Sequence, residues 1–186
     1  MKSIRISPLF CLLLFSYMLI EGSFDPLWLL AFSLLHELGH FLMIRALGGK
    51  VGSFTAAGQG FGMAVNGLSY RSELLAAAAG PAMSVLLAVF FFLIGNAYFC
   101  FANAALAIFN LLPVMPLDGG RILRAVLAQY LPLHRQRLMQ QIVGISCLLL
   151  LLALAFWQFL GSGYNISLLF ICIYLIGLIK ENGYDV

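Results

Sequence analysis

The chain has 186 residues, of which 63% are hydrophobic and only 9% charged, and its mean hydropathy is +1.03. Soluble domains carry about 25% charged and about 45–50% apolar residues, so an ordinary soluble domain, a disordered chain and a nucleic-acid binder are excluded. The net charge of +3 is the balance of ten Lys and Arg against seven Asp and Glu, so few that their placement matters more than their sum.

A bilayer core about 30 Å thick takes roughly 20 apolar residues of helix per crossing, at about 1.5 Å each. In chain order the apolar runs are residues 9–20, 26–47, 74–94, 98–112, 142–160 and 166–179. They use most of the chain and leave short joints. The expected fold is an all-α polytopic membrane protein, a bundle of six transmembrane helices forming a single domain over residues 1–186. The basic start and short apolar stretch of the first run fit a signal peptide. No Ala-x-Ala-like cleavage site lies near residue 20, however, and an uncleaved span is the better reading.

With six spans, all ten basic residues fall on the side of the two termini: Lys2, Arg5, Arg45, Lys50, Arg71, Arg121, Arg124, Arg135, Arg137 and Lys180. The opposite joints, residues 21–25, 95–97 and 161–165, hold none. The positive-inside rule then predicts an integral multi-pass protein with both termini in the cytoplasm.

The second run contains His36-Glu37-Leu38-Gly39-His40. Residues four apart share a helix face, so the two imidazoles can bind one metal ion. Glu37, turned about 100° from His36, can approach water at that metal as a general base. Three ionisable groups in one apolar helix are costly to bury and mark a functional site by default. Zinc requires a third protein ligand and an open position. His134 is one source, but it sits beside Arg135 and Arg137 and reads as a solvated histidine. Asp118, in Asn110-Leu-Leu-Pro-Val-Met-Pro-Leu-Asp-Gly-Gly120, is the better candidate. Pro113 and Pro116 should break the fourth helix, and Gly119 and Gly120 would permit a tight turn aiming the carboxylate back into the bundle. Taken alone, the stretch reads as a cytoplasmic turn ending the helix.

Together the two motifs resemble the site-2 protease family of intramembrane zinc metalloproteases, and in particular its six-span branch with the stage IV sporulation protease. Ala79-Gly80-Pro81 resembles that family's small-residue-plus-proline motif, and the likeness runs from about residue 27 to 124. The resemblance implies His36, His40 and Asp118 as zinc ligands, Glu37 as the base, and Asn110 and Pro116 near the bound substrate. It further implies a membrane-tethered protein substrate, such as a pro-sigma factor, cut near the cytoplasmic face of a bacterial membrane. Whether an inhibitory membrane partner takes part stays open. The nucleotide-sensing and peptide-binding domains of other relatives are not expected, since the joints are short and only residues 180–186 follow the last run.

Between the second and third runs, residues 50–69 are glycine-rich, with Val51, Phe54, Phe61, Met63 and Val65 interspersed. One or two short strands are expected, and the resemblance suggests a membrane-associated β-hairpin whose edge receives substrate. A flexible connector accounts for the segment equally well. Residues 129–141 are polar and basic around Pro132 and read as a solvated loop near anionic lipid. Cys11, Cys100, Cys147 and Cys172 are too scattered for a metal knuckle or redox pair and are assigned no role. A zinc transporter would need polar steps through several spans, which the first, fifth and sixth runs lack. An inactive membrane scaffold is disfavoured because all four key residues are present.

Overall fold

Pro26 falls in the first turn of a helix, where a missing N–H costs nothing, and no further proline follows until Pro81. The apolar run beyond it forms α1 (Asp25–Ala46), with Arg45 in the last turn where a cation suits the helix dipole. Gly48, at φ +76°, stops the helix. Its N–H donates to the Arg45 carbonyl at 3.1 Å and the Gly49 N–H to Ile44 at 2.9 Å, the paired bonds of a Schellman end. The computed structural model describes residues 4–6, 25–57, 60–66, 69–161 and 167–181. The first apolar run and Cys11 lie outside the described residues. The chain forms two compact units, Met1–Phe109 and Asn110–Val186.

In the first unit, α2 (Tyr70–Leu93) begins at Ser69, whose hydroxyl accepts from the Ser72 N–H, an N-cap. Its buried face consists of Ala76, Ala77, Gly80, Pro81, Ser84 and Ala88. Small residues let helix backbones approach closely, and α1 answers with Gly39. A Cβ there would stand 2.7 Å from the Ala79 carbonyl oxygen and 2.9 Å from Met83 Cβ. Gly95 ends the α2 segment as Gly48 ends α1, at φ +77°. Asn96 then caps α3 (Ala97–Asn110) by accepting from the Phe99 N–H at 3.0 Å. Where α2 meets α3, Phe99 stands 5.1 Å from Trp28, 5.1 Å from Phe32 and 5.0 Å from Phe91, ring centre to ring centre. This aromatic cluster ties the three helices at one end.

Three strands complete this unit: β1 (Ile4–Ile6), β2 (Lys50–Ala57) and β3 (Gly60–Asn66). They lie in the order β1-β2-β3. β1 runs parallel to β2, with Ile4 opposite Phe54. β2 pairs antiparallel with β3 from Lys50↔Asn66 to Ala57↔Gly60, with a register shift between Val51 and Ser53.

In the second unit, residues 111–117 are non-helical and contain Pro113 and Pro116, so the helix stops at Asn110 rather than running to residue 112. α4 (Asp118–Leu127) follows, with Asp118 in its first turn, where a carboxylate suits the dipole. α5 (Leu133–Gly161) starts directly after Pro132, whose carbonyl accepts from the Gln136 N–H at 3.0 Å. Most of the segment read as a solvated loop, residues 129–141, is therefore the first two turns of a long helix. Gln136 and Gln140 within it are buried. α6 (Ser167–Glu181) packs on α5.

Among the described residues, three helices are long and apolar enough to cross a membrane: α1 from Leu27, α2 and α5. α3 is a shorter apolar helix. Large apolar side chains stand exposed along them, among them Leu86, Phe92, Leu149, Phe156, Trp157 and Leu160. Patches this apolar require a cover in water, and lipid tails supply one.

Candidate metal centre

His36 and His40 lie one turn apart on the face of α1 that meets α2, and both are buried, at 4% and 3% exposure. Their rings meet edge to face with centres 4.9 Å apart. The Nδ1 of His40 lies 2.7 Å from the Ala76 carbonyl oxygen. A carbonyl only accepts, so this Nδ1 carries the proton and Nε2 presents a bare lone pair. The Nδ1 of His36 lies 2.9 Å from Ser84 Oγ, a hydroxyl that serves either tautomer because it can donate or accept. Both outer nitrogens are thus held by α2 while the two Nε2 atoms converge to 3.2 Å. A partner on the far nitrogen is what orients metal-bound histidines.

Gly80 makes this possible. A Cβ on it would run into His40 Nε2 and stand 2.6 Å from His36 Nε2, so the imidazoles occupy the space a side chain would fill. The Ala79-Gly80-Pro81 resemblance acquires a physical reason here.

Asp118 opens α4 and is also buried, at 6% exposure. Its Oδ1 accepts from Arg121 Nη1 at 3.3 Å, three residues along the same helix. Gly119 and Gly120 do not form the tight turn expected of them. Both lie buried in the first helical turn, and positive φ occurs, among the described residues, only at Gly48 and Gly95. Their lack of a side chain matters for space. A Cβ on Gly119 would run into the carbonyls of Leu111 and Leu112, and one on Gly120 would lie 2.7 Å from the Val114 carbonyl oxygen. The break after α3 and the start of α4 pack backbone on backbone.

His36 and His40 belong to the first unit, and Asp118 opens α4 in the second. Two imidazoles and a carboxylate, each buried within its own unit, are the donor types that zinc accepts, with a fourth position left for water or substrate. Glu37 follows His36 on α1 and is half-buried. Asn110 is the last residue of α3, and Pro116 lies in the non-helical stretch behind a cis peptide from Met115. His134 is exposed in the first turn of α5. Ser84, Ala76 and Arg121 were not singled out from the sequence. Ser84 and Ala76 carry only a weak signal, small residues eight apart on one face of α2.

The profile of Peptidase family M50 matches residues 96–154. A zinc metalloprotease of Methanocaldococcus jannaschii is 31% identical over 107 residues, covering 51% of this chain and 32% of its own length. A putative zinc metalloprotease of Synechocystis sp. is 35% identical over 127 residues, covering 59% of this chain and 33% of its own. The chain therefore spans about a third of the length of these relatives. The solved site-2 protease from M. jannaschii shares the fold, with a TM-score of 0.74 at 22% identity over 100% of this chain and 94% of that one.

Proposed function

From a chain that carries a peptidase family M50 match and has the fold of a site-2 protease, we propose an integral-membrane zinc endopeptidase that hydrolyses a peptide bond of a membrane-tethered protein. The observation that carries this reading is the pair of buried imidazoles on α1, whose Nε2 atoms converge to 3.2 Å and which α2 locks from behind; Asp118 is the third ligand of the proposal. These three residues hold the ion. Zinc bound there supplies Lewis acidity, which polarises a peptide carbonyl and makes water acidic near neutral pH.

The protein's own groups do the rest. Ser84 and the Ala76 carbonyl keep the imidazoles turned toward the ion. The Glu37 carboxylate takes a proton from the attacking water and delivers it to the departing amine nitrogen, so the base of the first step is the acid of the second. Asn110 and Pro116 flank the substrate strand.

The finer reading keeps six spans with both termini in the cytoplasm, on the sorting of basic residues. It also has the β2–β3 hairpin lie at the membrane and take substrate as an added strand. A helical substrate hides its peptide bonds, whereas an added strand presents one carbonyl at a time. Cleavage then falls near the cytoplasmic face. The substrate class is a membrane-tethered protein; a pro-sigma factor rests on the sporulation resemblance alone.

The test uses purified full chain reconstituted with a membrane-tethered substrate. His40→Ala and Asp118→Ala should lose both zinc and cleavage, whereas Glu37→Gln should lose cleavage and keep zinc. A wild-type chain without stoichiometric zinc sinks the proposal, as does a Glu37→Gln chain that cuts at the wild-type rate. Reporter fusions placing residues 182–186 outside would refute the topology.

A further inference from the structure

α4 has ten residues, and its N-cap Leu117 offers no side-chain hydrogen bond. Isolated helices shorter than about 12–15 residues are marginal, so something outside α4 must fix where its first turn lies. Gln140 Nε2 donates to the Gly120 carbonyl at 3.2 Å, and Gln136 Nε2 to the Arg124 carbonyl at 3.4 Å. Donors four apart on α5 thus meet acceptors four apart on α4, with the order reversed, as two antiparallel helices in register require. Both glutamines are buried, at 5% and 6% exposure, and buried Gly144 continues their face. The residues around them, His134, Arg135, Arg137, Leu138 and Met139, are exposed. Placing two amides inside the only narrow buried stripe of an otherwise exposed helix start is costly unless their hydrogen bonds are made.

We infer that Gln136 and Gln140 are positioning residues for Asp118: a ladder from α5 that sets the first turn of α4 and, through it, the carboxylate. Gly120 stands two residues from Asp118 in the same turn, so a displacement of that carbonyl carries the carboxylate with it. This rests on the zinc reading above. Partners that orient a metal ligand change affinity by about 10–100-fold when removed.

The experiment measures the zinc dissociation constant of the purified full chain by chelator competition, alongside its melting temperature. Gln136→Met and Gln140→Met keep length and remove the donor; each should weaken zinc about tenfold, and the double variant more. Gln140→Glu, which keeps the shape but sets an ionised oxygen against a carbonyl oxygen, should weaken it at least as much as Gln140→Met. Leu148→Ala, farther along α5, should lower the melting temperature and leave the zinc constant within about twofold, which separates positioning from general loosening. Should Gln140→Met fail to fold, Gln136→Met, on the longer bond, decides. Zinc constants within twofold of wild type in the folded Met variants overturn the ladder. A wild-type chain that takes up no zinc overturns instead the reading on which the ladder rests.

Discussion

The histidines and the aspartate reach their positions by different means. His36 and His40 come ready spaced on one helix, and their neighbour α2 contributes only a hydroxyl, a carbonyl and the absence of a side chain at Gly80. Asp118 begins a short helix with no side-chain cap, whose place depends on glycine backbone packed against residues 111–115 and on two glutamines from α5. One half is fixed by the geometry of a single helix, the other by contacts distant in sequence. Substitutions on the histidine side should therefore change the chemistry before they change the fold, and those on the aspartate side the reverse.

The largest effect tests the histidine side. Glu37→Gln should reduce the cleavage rate by about 10²–10⁴-fold, the contribution of a general base, with zinc content unchanged. Loss of zinc together with activity would make the carboxylate a ligand or a structural group. Next come two glycines, one from each side. Gly119→Ala forces a Cβ into backbone carbonyls that cannot swing away, and should destabilise the protein by about 1–3 kcal/mol as overpacking does. Gly80→Ala meets imidazoles instead; it should weaken zinc more than tenfold, comparable to losing an orienting partner, at a smaller cost in melting temperature. The opposite ranking would dissolve the contrast. Ser84→Ala leaves the His36 Nδ1 without its partner, and zinc affinity should fall by about tenfold in a chelator titration. Arg121→Gln should do least. Its guanidinium is partly exposed, with side-chain accessibility of 29%, so solvent screens the pair and the loss stays below about 1 kcal/mol, shrinking further in high salt.

What could be read from the sequence follows the same division. His36 and His40 are legible because periodicity along one helix is a local property, and the apolar runs behind α1, α2 and α5 are legible because their length matches a bilayer. Asp118 needed the family resemblance, since a proline-broken stretch by itself reads as a turn. For Gly119 and Gly120 the sequence suggests conformational freedom, whereas a helical turn uses their lack of bulk against the backbone of residues 111–115, a contact that no local pattern announces. Gln136 and Gln140 were hidden by the polarity of their neighbours, because average composition cannot distinguish a solvated segment from a helix with one buried stripe. Their spacing, continued by Gly144, is the one sequence trace of that stripe.

The aromatic cluster bears on the histidines from a distance. Phe32 and Gly39 are seven residues apart on α1, about 10 Å along its axis. At Gly39 the gap between α1 and α2 is set by backbone contact. At Phe32 it is set by rings, with Phe91 at 5.5 Å and Phe99 wedged against both. Two struts touching at one point and propped apart at another behave as a lever. Interlocked rings also act as a detent against sliding, so α1 and α2 keep their axial register. A smaller ring at position 32 or 91 would let the struts rock about the glycine fulcrum, and the arm carrying the imidazoles would tilt although nothing beside them had changed.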